Sequence, residues 1–209
     1  MTYGTYAGRM ARGETTRARG RPATASPDAV LDATLASFRA GERVDVYAIA
    51  AGLGVSRASI YRWFGSRDGL LGATLARQLE RMVLAADHRC RARGAQRVSQ
   101  VLDRTVRWLA EDASLRTYFD NESTAALRLV TRSDGMVHQA TVAALDKLIQ
   151  RAQEQDGYRP PIDRETLAYA LVRLVEAFLY NDAVAGFRGE VDRLRVVQEA
   201  LLGVTASLG

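Results

Sequence analysis

The sequence predicts an all-α protein with an N-terminal three-helix unit, a long connecting helix and a C-terminal helical domain. Apolar residues recur at helical spacing through most of the 209 residues, and no run alternates between apolar and polar residues as a strand would. A segment from Val46 to Phe64, VYAIAAGLGVSRASIYRWF, is typical of two short helices joined by a tight turn. We therefore expect a disordered arginine-rich arm at 1–22, a three-helix domain at 23–68 and a helical domain at 69–209.

The first and fourth helices are marked by their capping residues. The first begins at Ser26-Pro27-Asp28, because serine can cap a helix, proline fits its first position and an acid favours its positive end. Gly41 ends it, and its apolar face consists of Val30, Leu31, Thr34, Leu35 and Phe38. The fourth follows a break at Gly65-Ser66 and is long enough to link two domains. Its apolar stripe runs to about residue 92 and contains Leu70, Leu71, Leu75, Leu79, Met82 and Val83.

The rest of the chain predicts helices alone. We expect them at 98–109, 115–119, 122–130 and 136–155. After a break at Tyr158-Arg159-Pro160-Pro161, Asp163 can cap a helix that runs to about residue 182, and a turn at 186–189 leads to a last helix at 191–202. The third and fourth of these are either joined or kinked near Ser133-Asp134-Gly135.

The segment from Val46 to Phe64 has the features of a helix-turn-helix. Its first helix presents one apolar face, formed by Val46, Ile49, Ala50 and Leu53. Gly54 stands at the turn, where a positive φ suits glycine, and Ser56 can cap the second helix. Ile60 and Phe64 return to the core, which leaves a polar face for the major groove of DNA.

Charge is distributed unevenly along the chain, whose net charge is +5. Residues 1–93 carry 15 arginines and eight acidic residues, a net charge of +7, whereas residues 94–209 carry a net charge of −2. This asymmetry favours a polyanion as the partner of the first half, and the alternative is an uneven surface without function.

Other classes of protein find little support. No apolar run approaches a membrane span, no apolar core for a secretory signal follows the N-terminal arginines, and Cys90 is the single cysteine. We therefore expect a cytoplasmic protein without a cofactor, a metal site or a membrane partner. No catalytic motif appears, so we do not expect an enzyme, although Cys90 beside His88 and three arginines could be a redox sensor.

The region from Val44 to Leu71 resembles the DNA-binding region of TetR-family regulators. The matching pieces are Ile49-Ala50, Gly54-Val55-Ser56, Ile60-Tyr61, Phe64, Ser66-Arg67 and Leu70-Leu71. This chain has Arg67 where the family usually has lysine, Gly65 where it often has proline and Tyr47 where it usually has an acid. The resemblance implies a homodimer of all-α subunits, each with an N-terminal DNA reader and a C-terminal domain for a small ligand and for dimerisation.

Candidate DNA contacts lie on the second helix of this motif and beside it. Arg57 and Ser59 are placed to reach bases, with Ser56 at the helix start, and Ala58 can contact a thymine methyl. Arg62 either reaches a base as well, or touches a phosphate or faces solvent. The resemblance makes Tyr61 a phosphate contact. Trp63 either donates to a phosphate or packs on the first helix, and Arg67 either binds a phosphate at a helix N-terminus or lies on the surface.

The arm carries a further candidate contact. Arg19-Gly20-Arg21-Pro22 has the form of a minor-groove hook, and its alternative is a solvated tail.

Candidate ligand residues lie in the second half. Tyr169, Arg173, Glu176 and Tyr180 share one helical stripe, which is either a polar rim inside a cavity or a solvent face with an Arg173–Glu176 pair. The other candidate lining residues, each of which could instead be ordinary core, are Trp108, Tyr118, Phe119, Arg128, His138 and Phe178.

Taken together, these patterns predict a ligand-responsive transcriptional regulator, a repressor that a small molecule releases from a palindromic operator of double-stranded DNA. The last two long helices would form a four-helix dimer interface. The alternatives are an architectural DNA-binding protein that uses the arginine-rich arm non-specifically, and a small-molecule enzyme with a helical pocket.

Overall fold

The computed structural model describes residues 26–180 and 191–204, and within these ranges it contains nine helices and no strand. The expected arm at 1–22, with Arg19 and Arg21, and the expected turn at 186–189 lie outside the described residues. The helices are α1 (Pro27–Arg39), α2 (Val46–Leu53), α3 (Arg57–Phe64), α4 (Arg67–Arg89), α5 (Gly94–Glu111), α6 (Ala113–Thr131), α7 (Met136–Asp156), α8 (Arg164–Tyr180) and α9 (Val191–Leu202). The predicted all-α class is confirmed.

Helices α1, α2 and α3 form the N-terminal unit, and their starts are held by side-chain caps. The Ser26 hydroxyl accepts a hydrogen bond from the Ala29 amide at 3.3 Å, and the Ser56 hydroxyl accepts one from the Ser59 amide at 3.0 Å. Asp45, which the sequence analysis did not single out, accepts the Tyr47 amide at 2.7 Å and thereby caps α2. Each cap satisfies an amide that the helix itself leaves unpaired.

The turn between α2 and α3 depends on Gly54. Its φ of +65° places it in the left-handed region, where a side chain would be strained, as the sequence predicts. Ala50 and Ile60 are buried between the two helices, so the turn fixes the angle at which α3 leaves the domain.

Helix α4 has 23 residues and is about 35 Å long, which makes it a structural part of both domains. It packs against α1 and α3 at one end and against α5 and α7 farther along. A Cβ added at Gly69 would lie 2.0 Å from the Phe64 carbonyl oxygen, so glycine permits the close crossing of α3 and α4. The helix ends at Arg89 rather than near residue 92, because Cys90 adopts an extended backbone.

Helix α6 joins two segments that the sequence analysis treated as separate helices. The backbone of Glu122 departs from helical geometry, with φ −136° and ψ 43°, and divides α6 where the two predicted helices meet. A turn at 132–135 separates α6 from α7, so these two are neither joined nor one kinked helix. The predicted break at 158–161 and the Asp163 cap, which accepts the Thr166 amide at 2.9 Å, are both present.

The C-terminal core lies where α4, α5, α7, α8 and α9 pack together. Its fully buried side chains include Leu148, Ile149, Leu167, Leu171 and Leu194. At its far end, Arg97 donates to Asp87 at 2.7 Å and lies 3.5 Å from Asp156, so one arginine ties α5 to α4 and α7. None of the described helices combines the length and the apolar character that crossing a membrane requires.

The packing of α4 predicts that replacing two of its leucines by alanine lowers the free energy of unfolding by different amounts. Leu70 is fully buried, whereas Leu84 is 47% exposed. We expect Leu70→Ala to lower the free energy of unfolding by about 2–5 kcal/mol, because it removes buried methyl groups and leaves a cavity. The matched variant Leu84→Ala should change it by about 1 kcal/mol or less. Urea unfolding of both variants measures the difference. Equal losses of unfolding free energy in the two variants would contradict this packing.

Candidate nucleic-acid interface and interior cavities

The outward face of α3 presents most of the predicted DNA contacts. Arg57, Ala58 and Arg62 are exposed, and Tyr61 is 46% exposed. Ser56 and Ser59 are engaged with each other instead, because their hydroxyls lie 3.0 Å apart while Ser56 also caps the helix. The face therefore offers two cations, a phenol and a methyl group to solvent.

A groove beside this face brings together residues that the sequence analysis had not combined. Its volume is about 530 Å³, and its walls include Arg43, Asp45, Tyr47, Arg57, Tyr61 and Arg67. The Arg57 guanidinium lies over the Tyr47 ring, 5.6 Å from its centroid, and Tyr47 is 67% exposed. A cation stacked on an aromatic face is attracted by the ring and is confined in direction. Tyr47 thus orients Arg57, and the only signal in the sequence was an exposed tyrosine at the start of α2.

Trp63 packs inward. It is half-buried against the hydrophobic core and makes an edge contact with Phe64, with ring centroids 6.4 Å apart. These contacts favour the packing interpretation, and the phosphate contact of Trp63 stays a prediction.

Arg67 differs from the expected phosphate contact. Its Nη2 and Nη1 atoms donate to the two carboxylate oxygens of Glu122 at 2.7 and 2.9 Å, and its Nε donates to the Val44 carbonyl at 3.1 Å. Both side chains are 21% exposed. Arg67 is therefore engaged with Glu122, 55 residues away, a partner that no local spacing in the sequence indicates, and its contact with a DNA phosphate stays a prediction.

The Arg67–Glu122 pair lies in a cleft between the two domains. The cleft has a volume of about 390 Å³ and is lined by α1, the α1–α2 loop, α4 and α6. Tyr118 also lines it, and its buried hydroxyl has no hydrogen-bond partner among the described residues. Burial, followed by the negative charges of Glu122 and Asp68, raises the pKa of Tyr118 to about 12, so this phenol remains a proton donor at neutral pH.

Two apolar cavities of about 40 Å³ each lie in the C-terminal domain. The first is lined by α4, α5, α7 and α8 with the end of α6, and the second is lined by α1, α4, α5 and α6 with one residue each from α7 and α8. The residues common to both walls are Leu79, Leu109, Val130, Val137 and Tyr180. The cavities are thus neighbours separated by a thin layer of side chains, and the second borders the N-terminal unit.

Glu176 and Tyr180, two of the predicted ligand residues, line the first cavity. Tyr180 is 5% exposed, and burial raises the pKa of its hydroxyl well above the ordinary value. The Glu176 carboxylate lies 2.7 Å from His138 Nδ1 and accepts a hydrogen bond from Arg173 Nη1 at 2.6 Å. Arg173 also donates to the Thr131 carbonyl at 2.9 Å. The Glu176 carboxylate therefore forms one polar end of the cavity, and Arg173 and His138 hold this carboxylate in place.

The predicted stripe on α8 combines both interpretations. Arg173 and Glu176 form the expected pair three residues apart, while Glu176 and Tyr180 face the interior. Tyr169 is 45% exposed, accepts a hydrogen bond from Arg173 Nε at 3.1 Å and makes an edge contact with the His138 ring. The stripe thus runs from solvent into the cavity.

The remaining candidates lie elsewhere. The Trp108 ring lies beneath the Arg89 guanidinium, and the Arg128 side chain is 64% exposed, 3.9 Å from Asp68. Phe119 stacks on Tyr180 with ring centroids 5.4 Å apart, so it supports a cavity wall from behind. Phe178 packs half-buried against the core. These four residues do not belong to the described walls of either cavity.

Comparisons with known proteins match both halves of the chain. Residues 30–74 match the family described as bacterial regulatory proteins, tetR family, and residues 93–203 match the tetracyclin repressor-like C-terminal domain. The chain is similar in structure to QsdR, a transcriptional repressor of the TetR family from R. erythropolis, with 25% identity and a TM-score of 0.78 over 88% of this chain and 97% of that one.

Two other solved structures share the fold. The fatty acid degradation regulator FadR from Bacillus halodurans has 16% identity and a TM-score of 0.53 over 87% of this chain and all of that one. A TetR-family regulator from Rhodococcus sp. has 18% identity and a TM-score of 0.51 over 84% and 97%. No curated protein matches the chain closely enough to count as a relative.

The Arg67–Glu122 pair predicts a pH-dependent contribution to stability. Arg67 lowers the pKa of Glu122, first by hydrogen bonding and then by its charge. The contribution is therefore complete above the ordinary carboxyl pKa of about 4.3 and is lost as the pH falls through the lowered pKa. We expect Glu122→Gln to lower the free energy of unfolding by roughly 1–2 kcal/mol at neutral pH, and this difference from wild type to shrink below about pH 4.

Urea unfolding at neutral and acidic pH measures this difference. Glu42→Gln is the matched control, because Glu42 lines the same cleft but is exposed and pairs with Ser37. A difference between wild type and Glu122→Gln that persists unchanged at acidic pH would contradict the assignment.

Proposed function

Since the chain belongs to the TetR family of bacterial transcriptional regulators, we propose that it is a homodimeric repressor released from a palindromic operator by a small molecule. The observation that carries this proposal is the exposed cationic and aromatic face of α3, whose domain shares a cavity wall with the C-terminal core. One protein thus combines a surface suited to DNA with an interior suited to a ligand.

The α3 face supports specific roles in DNA binding. Arg57, stacked on Tyr47, is directed to a guanine edge in the major groove, where a bidentate contact discriminates by about 1–3 kcal/mol. Arg62 is a second candidate for a base contact, and Ala58 for a thymine methyl. Tyr61 is placed to donate to a phosphate and so to position the helix. Arg19 and Arg21 would enter the minor groove.

The outer faces of α8 and α9 support the dimer. Val196 and Val197 of α9 are 67% and 38% exposed, and on α8 Ala177 is exposed and Leu174 half-buried. Side by side, two such helix pairs from two subunits would bury these apolar side chains in a four-helix interface. The two α3 helices would then enter half-sites about one turn of DNA apart.

The cavities support a mechanism of release. A volume of about 40 Å³ accommodates little more than water, whereas ligand sites measure roughly 300–1,000 Å³. A ligand must therefore separate the walls. Leu35 and Phe38 of α1 belong to the wall of the second cavity, so its expansion moves the DNA-binding unit. Release follows if the ligand binds this expanded state more tightly than the DNA-binding state.

Selection of operators from random duplexes tests the proposed DNA binding, with Arg57→Ala as the informative variant. We expect Arg57→Ala to lower affinity for the selected operator by about 10- to 100-fold and to leave the dimer intact, because a base contact is lost. Arg104→Ala removes an exposed arginine from the second domain and should bind as wild type does. Electrophoretic shifts with a random-sequence competitor report both affinity and specificity. Wild-type binding that the competitor abolishes would favour the architectural alternative.

Filling the first cavity tests the ligand site. Val175 is 7% exposed and lines this cavity beside Glu176. We expect Val175→Phe to bind the operator as wild type does but to resist release by at least about tenfold in effector concentration, because the larger ring occupies the ligand's space. A screen for compounds that dissociate the wild-type complex supplies the effector. Unchanged release from Val175→Phe would place the ligand elsewhere.

A further inference from the structure

Arg67 lies between the two functional spaces of the N-terminal unit. On one side it lines the groove that also contains Arg57, Tyr61 and Tyr47. On the other side it lines the interdomain cleft with Glu122 and Tyr118. A single guanidinium thus borders both the proposed DNA surface and the junction with the C-terminal domain.

The Glu122 carboxylate occupies the part of Arg67 that a phosphate would use. Both carboxylate oxygens are bound by the terminal nitrogens, at 2.7 and 2.9 Å, in the bidentate arrangement in which arginine also binds phosphate. The remaining Nε donor is held by the Val44 carbonyl at 3.1 Å. The same edge of the guanidinium cannot form both bidentate contacts, so binding to Glu122 and binding to DNA are alternatives.

We propose that Glu122 is an autoinhibitory residue that competes with a DNA phosphate for Arg67. This inference rests on the proposed DNA-binding function and adds a regulatory contact to it. We call the Arg67–Glu122 pair the latch. While the pair is formed, the latched state, a complex with DNA lacks one phosphate contact per subunit. In the released state Arg67 turns into the groove beside Arg57 and Tyr61, and the start of α4 contacts the backbone of the operator.

Tyr118 supplies a replacement partner for the carboxylate that Arg67 leaves. Its hydroxyl is buried and has no partner among the described residues, and Tyr118 lines the same cleft as Glu122, which lies four residues later in α6. In the released state the Tyr118 hydroxyl donates to Glu122, and Arg43, whose Nε lies 3.6 Å from the same carboxylate, balances its charge. The unpartnered phenol of the latched state thereby gains a hydrogen bond in the released state.

The latch is connected to the ligand cavities by aromatic contacts. Tyr180 lines both cavities and stacks on Phe119, with ring centroids 5.4 Å apart and planes inclined by 13°. Phe119 in turn makes an edge contact with Tyr118 at 6.4 Å. A ligand that displaces Tyr180 therefore acts on the segment of α6 that carries Tyr118 and Glu122. The position of Arg67 is the two-state element that the ligand and DNA both bias.

The salt dependence of operator binding by dimeric full-length protein tests the latch. One added phosphate contact steepens the slope of log K against log salt by about 0.9 per subunit. We expect Glu122→Gln to bind more tightly at low salt and to show this steeper slope. Glu122→Asp keeps the net charge but shortens the side chain, so it should shift the slope in the same direction. Glu42→Gln, which removes a charge in the same cleft without releasing Arg67, should keep the wild-type slope.

Two further variants complete the test. The gain from Glu122→Gln should disappear in an Arg67→Ala background, because the competing phosphate contact no longer exists. Tyr118→Phe removes a hydroxyl that has no partner in the latched state, so it should preserve the fold. It should weaken operator binding several-fold with a shallower slope, because the released state loses its hydrogen bond.

The latch is overturned if Glu122→Gln and Glu42→Gln show the same slope, or if Tyr118→Phe binds as wild type does. If either Glu122 variant fails to fold, the salt-dependence slope of Tyr118→Phe tests the latch on its own. Wild-type binding to the selected operator separates these outcomes from failure of the proposed function. A wild-type protein that binds no duplex overturns the DNA-binding function and the latch together.

Discussion

The structure depends on the shared core of α4. At its first turns Leu70 and Leu71 are buried with the N-terminal helices, and farther along Leu79 and Val83 line the C-terminal cavities. A helix cannot bend at low cost while its ladder of hydrogen bonds is intact, so a displacement at one end is felt at the other. Gly69 strengthens this constraint, because it brings α3 into backbone contact with α4. The proposed DNA-binding surface and the proposed ligand cavities therefore adjoin opposite ends of one helix.

Features that depend on residues close together in the sequence could be predicted, whereas features that join distant residues could not. Helix starts at Ser26, Ser56, Ser66 and Asp163 were readable because a cap and the amide it accepts lie within three residues of each other. The pairing of Arg67 with Glu122 was not readable, because it joins residues 55 positions apart and leaves no periodic signal. Tyr118 was predicted as a ligand residue and lies in the interdomain cleft, because periodicity identifies a buried face but not the neighbour that covers it.

The buried charges of the C-terminal domain give the interior a defined polarity. Glu176 is 8% exposed, and its carboxylate is held by Arg173 from the surface side and by His138 from within the core. Such a network fixes the orientation of the one charged group that borders the first cavity, which is otherwise lined mainly by leucine and valine. For a ligand at this proposed site, the lining favours an apolar body with a hydrogen-bond donor at one end over a second carboxylate, which Glu176 would repel.

In the proposed mechanism, the small volume of the cavities also determines how sensitive the regulator is to its effector. A ligand larger than about 40 Å³ would bind at this proposed site only in a conformation in which the walls have separated. The apparent dissociation constant then equals the intrinsic constant divided by the open fraction. In the proposed mechanism, packing at the wall shared by the two cavities, to which Tyr180 belongs, sets the effector concentration at which the protein leaves its operator. Substitutions there would tune that threshold without touching either the ligand or the operator.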